Sequence, residues 1–331
     1  MSLLARGIRS LAIPLINLYV LGAIGLELAW RLGGDEPWPL ALLMLFSQWW
    51  LLPAFVLAPA TFLAGWRRSA LGLALVALLF LGVYGQPFLG APVAPPDRPR
   101  RLTVATMNVG AYRVEAPDIE VAVRSTDADL VVMQEIVDSN VPALREALTT
   151  DYPYQIYRGG KGVLSRWPLG EPRLFETARS PGRPHLELAL QLGERSLVLL
   201  APHPYPPTDV PLVYGDGSYH PHPNSRADAA ELAARAAATG LPTLLVGDLN
   251  LPMRSPAYRA IRSAGLRDAF QAAGDGFGAT WPAGIERFGL RIPPLVRIDY
   301  VWHTAEFTPL EAHTGAAYGS DHLPVVVTLA W

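Results

Sequence analysis

The sequence contains no cysteine, and Lys161 is the only lysine among its 27 basic residues. The absence of cysteine excludes disulfide bonds, thiolate zinc sites and cysteine nucleophiles. It does not locate the protein, because chains of any compartment can lack cysteine. We attribute the scarcity of lysine to a bias in genomic composition.

An excess of basic charge is also missing. Of the 27 basic and 29 acidic residues, five and three respectively precede residue 97, which leaves 22 basic and 26 acidic residues in 97–331. A protein that holds DNA by neutralising its phosphates usually presents a basic face. The charge balance gives no support to such a face, although it does not exclude a local one.

Hydrophobic residues are abundant and are concentrated at the beginning of the chain, in the runs 11–32, 40–66 and 70–89. Each run reaches the roughly 20 residues that a helix needs to cross about 30 Å of hydrocarbon. A secretory signal peptide is the competing interpretation of the first run, but the apolar core of such a peptide is shorter. The sequence therefore predicts a transmembrane anchor of three helices over 1–89. Pro53 and Pro59 are expected to bend the second helix.

The arginines around these runs bear on orientation. Those at positions 6, 9, 67 and 68 fall on one side of a three-span anchor, and Arg31 falls on the other. The positive-inside rule places the richer side in the cytoplasm, so the rest of the chain would lie outside. Three arginines within 98–101 favour the opposite orientation. We predict a multi-pass protein of the cytoplasmic membrane with an extracytoplasmic soluble domain.

The soluble part begins with a proline-rich stretch, 90–100, which is typical of an extended, semi-rigid linker. From 101 to 331, short apolar runs alternate with amphipathic segments, a pattern that predicts an α/β domain. The predicted strands are Leu102–Val109, Leu130–Gln134, Gly162–Ser165, Leu186–Leu192, Leu197–Ala201, Thr243–Val246, Ile298–Trp302 and Pro324–Leu329, and the predicted helices are Ile119–Ser125, Val141–Leu148, Ser225–Ala238 and Pro256–Ala264.

Polar side chains interrupt the apolar runs at the ends of six predicted strands: Asn108, Glu135, His203, Asp248 with Asn250, Asp299, and Asp321 with His322. A single residue of this kind is usually a turn, a cap or a satisfied structural histidine. A carboxylate near a core strand is costly to desolvate unless it is paired or binds a metal. Because strand ends converge in α/β folds, six such positions indicate one shared pocket.

The residue types in this set favour a particular chemistry. Carboxylates with asparagine, and no cysteine, suit a hard cation such as Mg²⁺ or Mn²⁺. Two histidines beside a carboxylate-bound metal favour general acid and base catalysis. From the residues alone we predict metal-assisted hydrolysis of a phosphoester.

The ordered set, including Gly247-Asp248-Leu249-Asn250, Arg297-Ile298-Asp299-Tyr300 and Gly319-Ser320-Asp321-His322, resembles the endonuclease/exonuclease/phosphatase superfamily, of which pancreatic deoxyribonuclease is the type member. The resemblance covers about residues 100–331. Thr280-Trp281-Pro282 and the apolar runs are similar to a membrane-bound bacterial branch. The resemblance implies a four-layered α/β sandwich, in which two packed sheets are flanked by helices.

Roles for the set are implied by the same resemblance. Glu135 would be the principal metal ligand, with Asn108 and Asp321 completing the site. His322, oriented by Asp299, would take a proton from the attacking water or polarise the phosphate. Asp248 would act as a base or align the water, Asn250 would hold a phosphoryl oxygen, and His203 would protonate the leaving oxygen or contact the phosphate. The step Pro202-His203-Pro204 departs from the usual Thr-His-Leu, and the catalytic tyrosine of some abasic-site nucleases has no counterpart.

Three weaker candidates each have more than one interpretation. Loop 214–224, with Asp216, His220 and His222, is either a substrate loop or, by a margin of roughly two to one, a solvated loop. Loop 274–294 carries Phe277, Trp281 and Phe288, which either cover the pocket, touch the bilayer or pack beneath the loop. Arg166 either approaches an anionic substrate or forms a structural ion pair.

The sequence as a whole favours a membrane-anchored phosphodiesterase or phosphatase that depends on a divalent metal. A lipid head group and a nucleic acid are both open as substrates, and no obligate protein partner is predicted. The alternative from another class is a catalytically silent binding or scaffold module that keeps the fold.

Overall fold

The structure is a computed structural model that describes residues 3–33, 38–89, 100–206, 225–287 and 289–331. The chain divides into two compact units, Met1–Gln86 and Pro87–Trp331. Most of the predicted linker, 90–99, and the loop 214–224 with Asp216, His220 and His222 lie outside the described residues.

The first unit is helical. Its helices are α1 (Leu3–Gly33), α2 (Trp38–Leu45), α3 (Ser47–Leu51), α4 (Pro53–Leu63) and α5 (Arg67–Tyr84). By length and composition, two described helical segments, Arg9–Leu32 and Arg67–Tyr84, are able to cross a membrane. The predicted anchor of three helices is therefore not confirmed.

The run 40–66 is the predicted span that the structure does not form as one helix. Phe46 leaves the helical conformation, with φ −103° and ψ 16°. A second interruption falls at Leu52, and α4 begins at Pro53, while Pro59 lies inside α4. Proline has no N–H to donate to the carbonyl four residues earlier, which explains why a new helix starts there.

The second unit contains all the strands that the described residues form. These are β1 (Arg101–Asn108), β2 (Leu130–Gln134), β3 (Tyr154–Arg158), β4 (Lys161–Ser165), β5 (Arg173–Phe175), β6 (His185–Leu192), β7 (Arg195–Ala201), β8 (Thr243–Asp248), β9 (Arg267–Asp268), β10 (Glu286–Arg287), β11 (Leu290–Arg291), β12 (Asp299–His303), β13 (Thr308–Thr314) and β14 (Val325–Ala330). The remaining helices are α6 (Gln86–Leu89), α7 (Ala116–Ser125), α8 (Val141–Leu148), α9 (Ser225–Ala238), α10 (Pro256–Ser263) and α11 (Ala269–Ala273).

Two six-stranded sheets form the body of this unit, in the orders β13-β14-β1-β2-β4-β3 and β5-β6-β7-β8-β12-β9. The pairs β1–β2 and β7–β8 are parallel and the other pairs in the two sheets are antiparallel, so both sheets are mixed. A separate short hairpin joins β10 to β11.

The apolar side chains of each strand alternate between two cores. Leu102 and Val104 of β1 pack between the sheets with Leu244 and Val246 of β8. The intervening residues of the first sheet pack against α7 and α8, and those of the second sheet pack against α9 and α10. The result is two packed mixed sheets with helices on their outer faces. This alternation also sends the last residues of several strands into the space between the sheets.

Candidate active site

Three predicted residues lie at the ends of strands, on the side of each strand that faces the other sheet. Asn108 continues the row of Leu102 and Val104 on β1, and Asp248 continues the row of Leu244 and Val246 on β8. Asp299, at the start of β12, lies directly opposite Asp248 in the antiparallel pair. Like charges in that position repel each other, so both buried carboxylates need partners.

Asp248 finds its partners in Asn108 and His203. Asn108 Nδ2 donates to Asp248 Oδ2 at 3.0 Å, and His203 Nε2 lies 3.5 Å from the same oxygen. Burial acts to raise the pKa of Asp248, but His203, His322 and Asn108 outweigh it and lower this pKa to about 2. Asp248 is therefore an anion at neutral pH.

His322 is the partner of Asp299. Its Nδ1 donates to Asp299 Oδ2 at 2.9 Å, and its Nε2 lies 3.9 Å from Asp248 Oδ2. Burial acts to lower the pKa of His322, but Asp299 and Asp248 outweigh it and raise this pKa to about 10. Burial also raises the pKa of Asp299, against the effect of His322. The imidazole is thus held as a cation between two carboxylates.

Glu135 adjoins this buried group from the side that is more open to solvent. Its Oε1 accepts a hydrogen bond from Asn108 Nδ2 at 3.2 Å and lies 3.6 Å from His203 Nε2. Its backbone is left-handed, with φ 60°, as is that of Asn250, with φ 51°. Non-glycine residues rarely adopt this conformation, and when they do they cluster at functional sites.

Asp321 reaches the site because its loop is fastened to the end of β1. The carbonyl of Asn108 accepts hydrogen bonds from the hydroxyls of Tyr318 and Ser320, both at 2.6 Å. Gly319 has φ 100°, a conformation that only glycine adopts easily, which explains its place in Gly319-Ser320-Asp321-His322. Arg113 Nη1 lies 3.5 Å from Asp321 Oδ2.

The structure also gives His203 a direction. A Cβ atom at Gly247 would lie 2.4 Å from the carbonyl oxygen of Pro202, so only glycine lets β8 pass this close to the chain before His203. The His203 ring faces Asp248 and Glu135. Asn250 lies beside it, with its Nδ2 donating to Pro204 O at 3.0 Å and its N–H to Asp248 Oδ1 at 2.8 Å.

Two groups of side chains in the site contain atoms that can bind a metal ion. Among the described residues, Asp248, Asp299 and His322 have potential ligand atoms within 4.8 Å of one another, but His322 Nδ1 is already bonded to Asp299. The predicted set of Glu135, Asp321 and Asn108 provides hard oxygen donors, and its two carboxylates are partly exposed, at 31% and 22% of their side chains. This donor set fits Mg²⁺ or Mn²⁺. Asn108 turns its amide nitrogen toward Glu135, while its oxygen accepts from Gly110 N.

Several residues of the site were not predicted. Arg183 Nη1 lies 3.3 Å from His203 Nε2, and the His185 ring accepts a hydrogen bond from His203 N at 3.2 Å. Lys161, buried at the start of β4, donates to the carbonyl of Pro184 between them. The one signal for these residues in the sequence is that Lys161 is the sole lysine.

Of the weaker candidates from the sequence, those that the structure describes contact other parts of the fold. Arg166 forms ion pairs with Asp127 and Asp129, in agreement with its structural interpretation. Phe277 packs edge-on against Phe88, with ring centroids 5.1 Å apart. Phe288 lies outside the described residues, and the backbone of Trp281 pairs with that of Val296.

A comparison with family models identifies the class of protein to which the chain belongs. The profile of the Endonuclease/Exonuclease/phosphatase family matches residues 105–322, and the chain belongs to this family. Members of the family are phosphoester hydrolases and generally use divalent metals. No curated protein matches the chain.

Solved structures share the fold at low sequence identity. An endonuclease/exonuclease/phosphatase family protein from Leptotrichia buccalis is 19% identical, with a TM-score of 0.54, and the match covers 70% of this chain and 100% of that one. Truncated TDP2 from Caenorhabditis elegans is 17% identical, with a TM-score of 0.52 and coverage of 70% and 98%. Sphingomyelinase C from Streptomyces griseocarneus is 18% identical, with a TM-score of 0.51 and coverage of 69% and 99%.

Proposed function

We propose that the protein is a membrane-anchored hydrolase of phosphoesters, a phosphodiesterase or phosphatase that depends on Mg²⁺ or Mn²⁺. The observation that carries the proposal is the buried Asp299–His322 pair beside the anionic Asp248, with Glu135 on the open side of the same group. A silent scaffold would have no need to retain such a costly arrangement of buried charges.

The ion would be held by Glu135 and Asp321, and it would supply positive charge to the phosphoryl group. Asn108, predicted as a third ligand, orients Glu135 through its amide nitrogen in this structure.

The remaining catalytic roles would fall to the two histidines, Asp248 and Asn250. With a pKa raised to about 10, His322 is charged at neutral pH, which supports its role in polarising the phosphate over that of a base. Asp248 is a weak base at a pKa of about 2 and is better suited to aligning the water. His203 faces the same space and would protonate the leaving oxygen, while Asn250 would hold a phosphoryl oxygen.

The helices of the first unit bear on where in the cell the protein would act. Two helical segments long and apolar enough to cross a membrane support residence in the cytoplasmic membrane. With the three spans that the sequence predicts, the arginines at 6, 9, 67 and 68 support an extracytoplasmic catalytic unit. A lipid head group and a nucleic acid are both candidate substrates; solved relatives of the same fold are named sphingomyelinase C and TDP2.

Turnover of bis-p-nitrophenyl phosphate tests the proposal. The full chain in detergent should release p-nitrophenol with Mg²⁺ or Mn²⁺ and lose this activity on chelation of the metal. His322→Ala should lower kcat by about 10²–10⁴-fold, and Glu135→Ala should abolish the response to metal. Arg166→Gln alters an ion pair that the site does not use and serves as the control. Absence of turnover with every divalent ion would favour the silent module.

A further inference from the structure

Lys161 is a buried charge with no place in the proposed chemistry. It is 3% exposed, and its backbone lies opposite Gln134, the residue before Glu135. Its ammonium donates to the carbonyl of Pro184. Burial, reinforced by Arg183, lowers the pKa of Lys161 to about 8. Burying an ammonium costs desolvation free energy unless the group has a partner. The one lysine of the chain is therefore expected to have a structural role at this position.

The contact with Pro184 joins the two sheets. Lys161 begins β4 in one sheet, and Pro184 immediately precedes β6 in the other. The neighbours of Pro184 both hold His203: Arg183 lies 3.3 Å from its Nε2, and His185 Nδ1 accepts from its backbone N–H at 3.2 Å. The segment 183–185 therefore contacts both the ring and the backbone of His203.

The segment is also anchored beyond His203. Arg183 Nη1 donates to Pro204 O at 3.3 Å, and its guanidinium stacks over Tyr205 at 4.5 Å. Burial, together with the charges of Lys161 and Arg183, lowers the pKa of His185 to about 3, so its ring is neutral and its Nδ1 is available as an acceptor. Its Nε2 then donates to Thr177 Oγ1 at 3.3 Å.

We propose that Lys161 is a positioning residue, whose ammonium ties segment 183–185 to the opposite sheet and thereby directs His203 toward Glu135 and Asp248. The functional part of this inference rests on the proposed hydrolysis, in which His203 serves the leaving group. A compact ammonium fits a single buried carbonyl, whereas a planar guanidinium with five donors does not. A lysine therefore suits this position better than the arginine that fills the other 26 basic positions would.

A double-mutant cycle in the full chain tests the functional part. Lys161→Met keeps an unbranched side chain, one atom shorter than that of lysine, and removes the ammonium and its charge. It should lower kcat on bis-p-nitrophenyl phosphate by about 10–100-fold, the usual effect of losing a residue that orients a catalytic group, with little change in KM. In a His203→Ala background the same substitution should cost no further activity, because the group it positions is gone. An equal loss in both backgrounds would overturn the inference.

The second measurement is independent of turnover. Selective ¹⁵N labelling gives ring resonances for only seven histidines, and His203→Ala identifies those of His203. Lys161→Met and Arg183→Gln should both shift the His203 ring resonances at a fixed pH, whereas Arg166→Gln should not. Unchanged resonances in Lys161→Met would overturn the positioning role. If the wild-type chain shows no turnover, the proposed hydrolysis fails while the resonances still decide the position of His203.

Discussion

The Asp299–His322 pair makes the stability of the second unit depend on pH. The pKa of His322 rises from 6.5 to about 10 on folding, so the native state binds more protons between these values. The stabilisation is fully present below pH 6.5 and is lost as the pH rises through 10. The free energy of unfolding should fall over this window by up to about 1.4 kcal/mol per pH unit for this group.

Urea unfolding of the metal-free fragment 97–331 from pH 6 to pH 10 would measure this effect. The difference between the wild-type fragment and His322→Ala should shrink steadily as the pH rises. A difference that stays constant over the window would show that the imidazole is not held as a cation. Asp299→Asn should give the same flattening, since it removes the main charge that stabilises the imidazolium.

At the scale of secondary structure, Arg297, two residues before β12, forms an ion pair with Asp268 of β9. The guanidinium donates to both carboxylate oxygens of Asp268, at 2.9 and 2.8 Å, and both side chains are buried. Arg297→Met would leave the Asp268 carboxylate without its counter-ion. We expect this change to lower the free energy of unfolding by about 3–5 kcal/mol, as is usual for breaking a buried pair.

The ion pairs of Arg166 with Asp127 and Asp129 provide the matched control, because the side chains of Arg166 and Asp127 are 39% and 90% exposed to solvent. Arg166→Met should change stability by no more than about 1 kcal/mol in the same denaturation experiment. Similar losses of stability for Arg297→Met and Arg166→Met would mean that burial does not determine how much these ion pairs contribute to the free energy of unfolding.

The elements differ in how far the sequence predicts them. β2 and α8 have the predicted bounds, because their apolar runs are bounded by turn or cap residues. The edge strands β3 and β13 were missed: the first has no fully buried residue, and the second contains Pro309 and a register shift. Edge strands face solvent and tolerate proline, so they lack the apolar pattern that identifies central strands.

The residues of the site also differ in how far the sequence predicts them. The direction of Asn108, Asp248 and Asp299 was predictable, because each lies at the first or last position of an apolar strand and a period of two fixes the side on which it falls. Arg183 and Lys161 were not predictable, since what they contact is a histidine and a backbone carbonyl that only the tertiary fold brings near. The interruption of the run 40–66 was missed because hydropathy does not record where a helix breaks.

At the scale of the whole molecule, the proposed anchoring predicts where the chain will be found. The full chain should remain with bacterial membranes after washing at alkaline pH. In intact spheroplasts, external protease should remove residues 101–331, and the same cleavage should occur in permeabilised cells. Protection in spheroplasts together with cleavage after permeabilisation would place the catalytic unit in the cytoplasm and reverse the proposed orientation.

The order of strands in the first sheet has a consequence for biosynthesis. β1 lies between β2 and β14, and the side chains of Thr103 and Thr328 meet across the β1–β14 pair although they are 225 positions apart. At about 5–20 residues per second, the ribosome needs on the order of ten seconds or more to deliver that partner. Until then the N–H and C=O groups on one edge of β1 stay unpaired and open to pairing with other chains. The nascent protein is therefore exposed to misassembly in this interval, when a holding chaperone would have its greatest effect on yield.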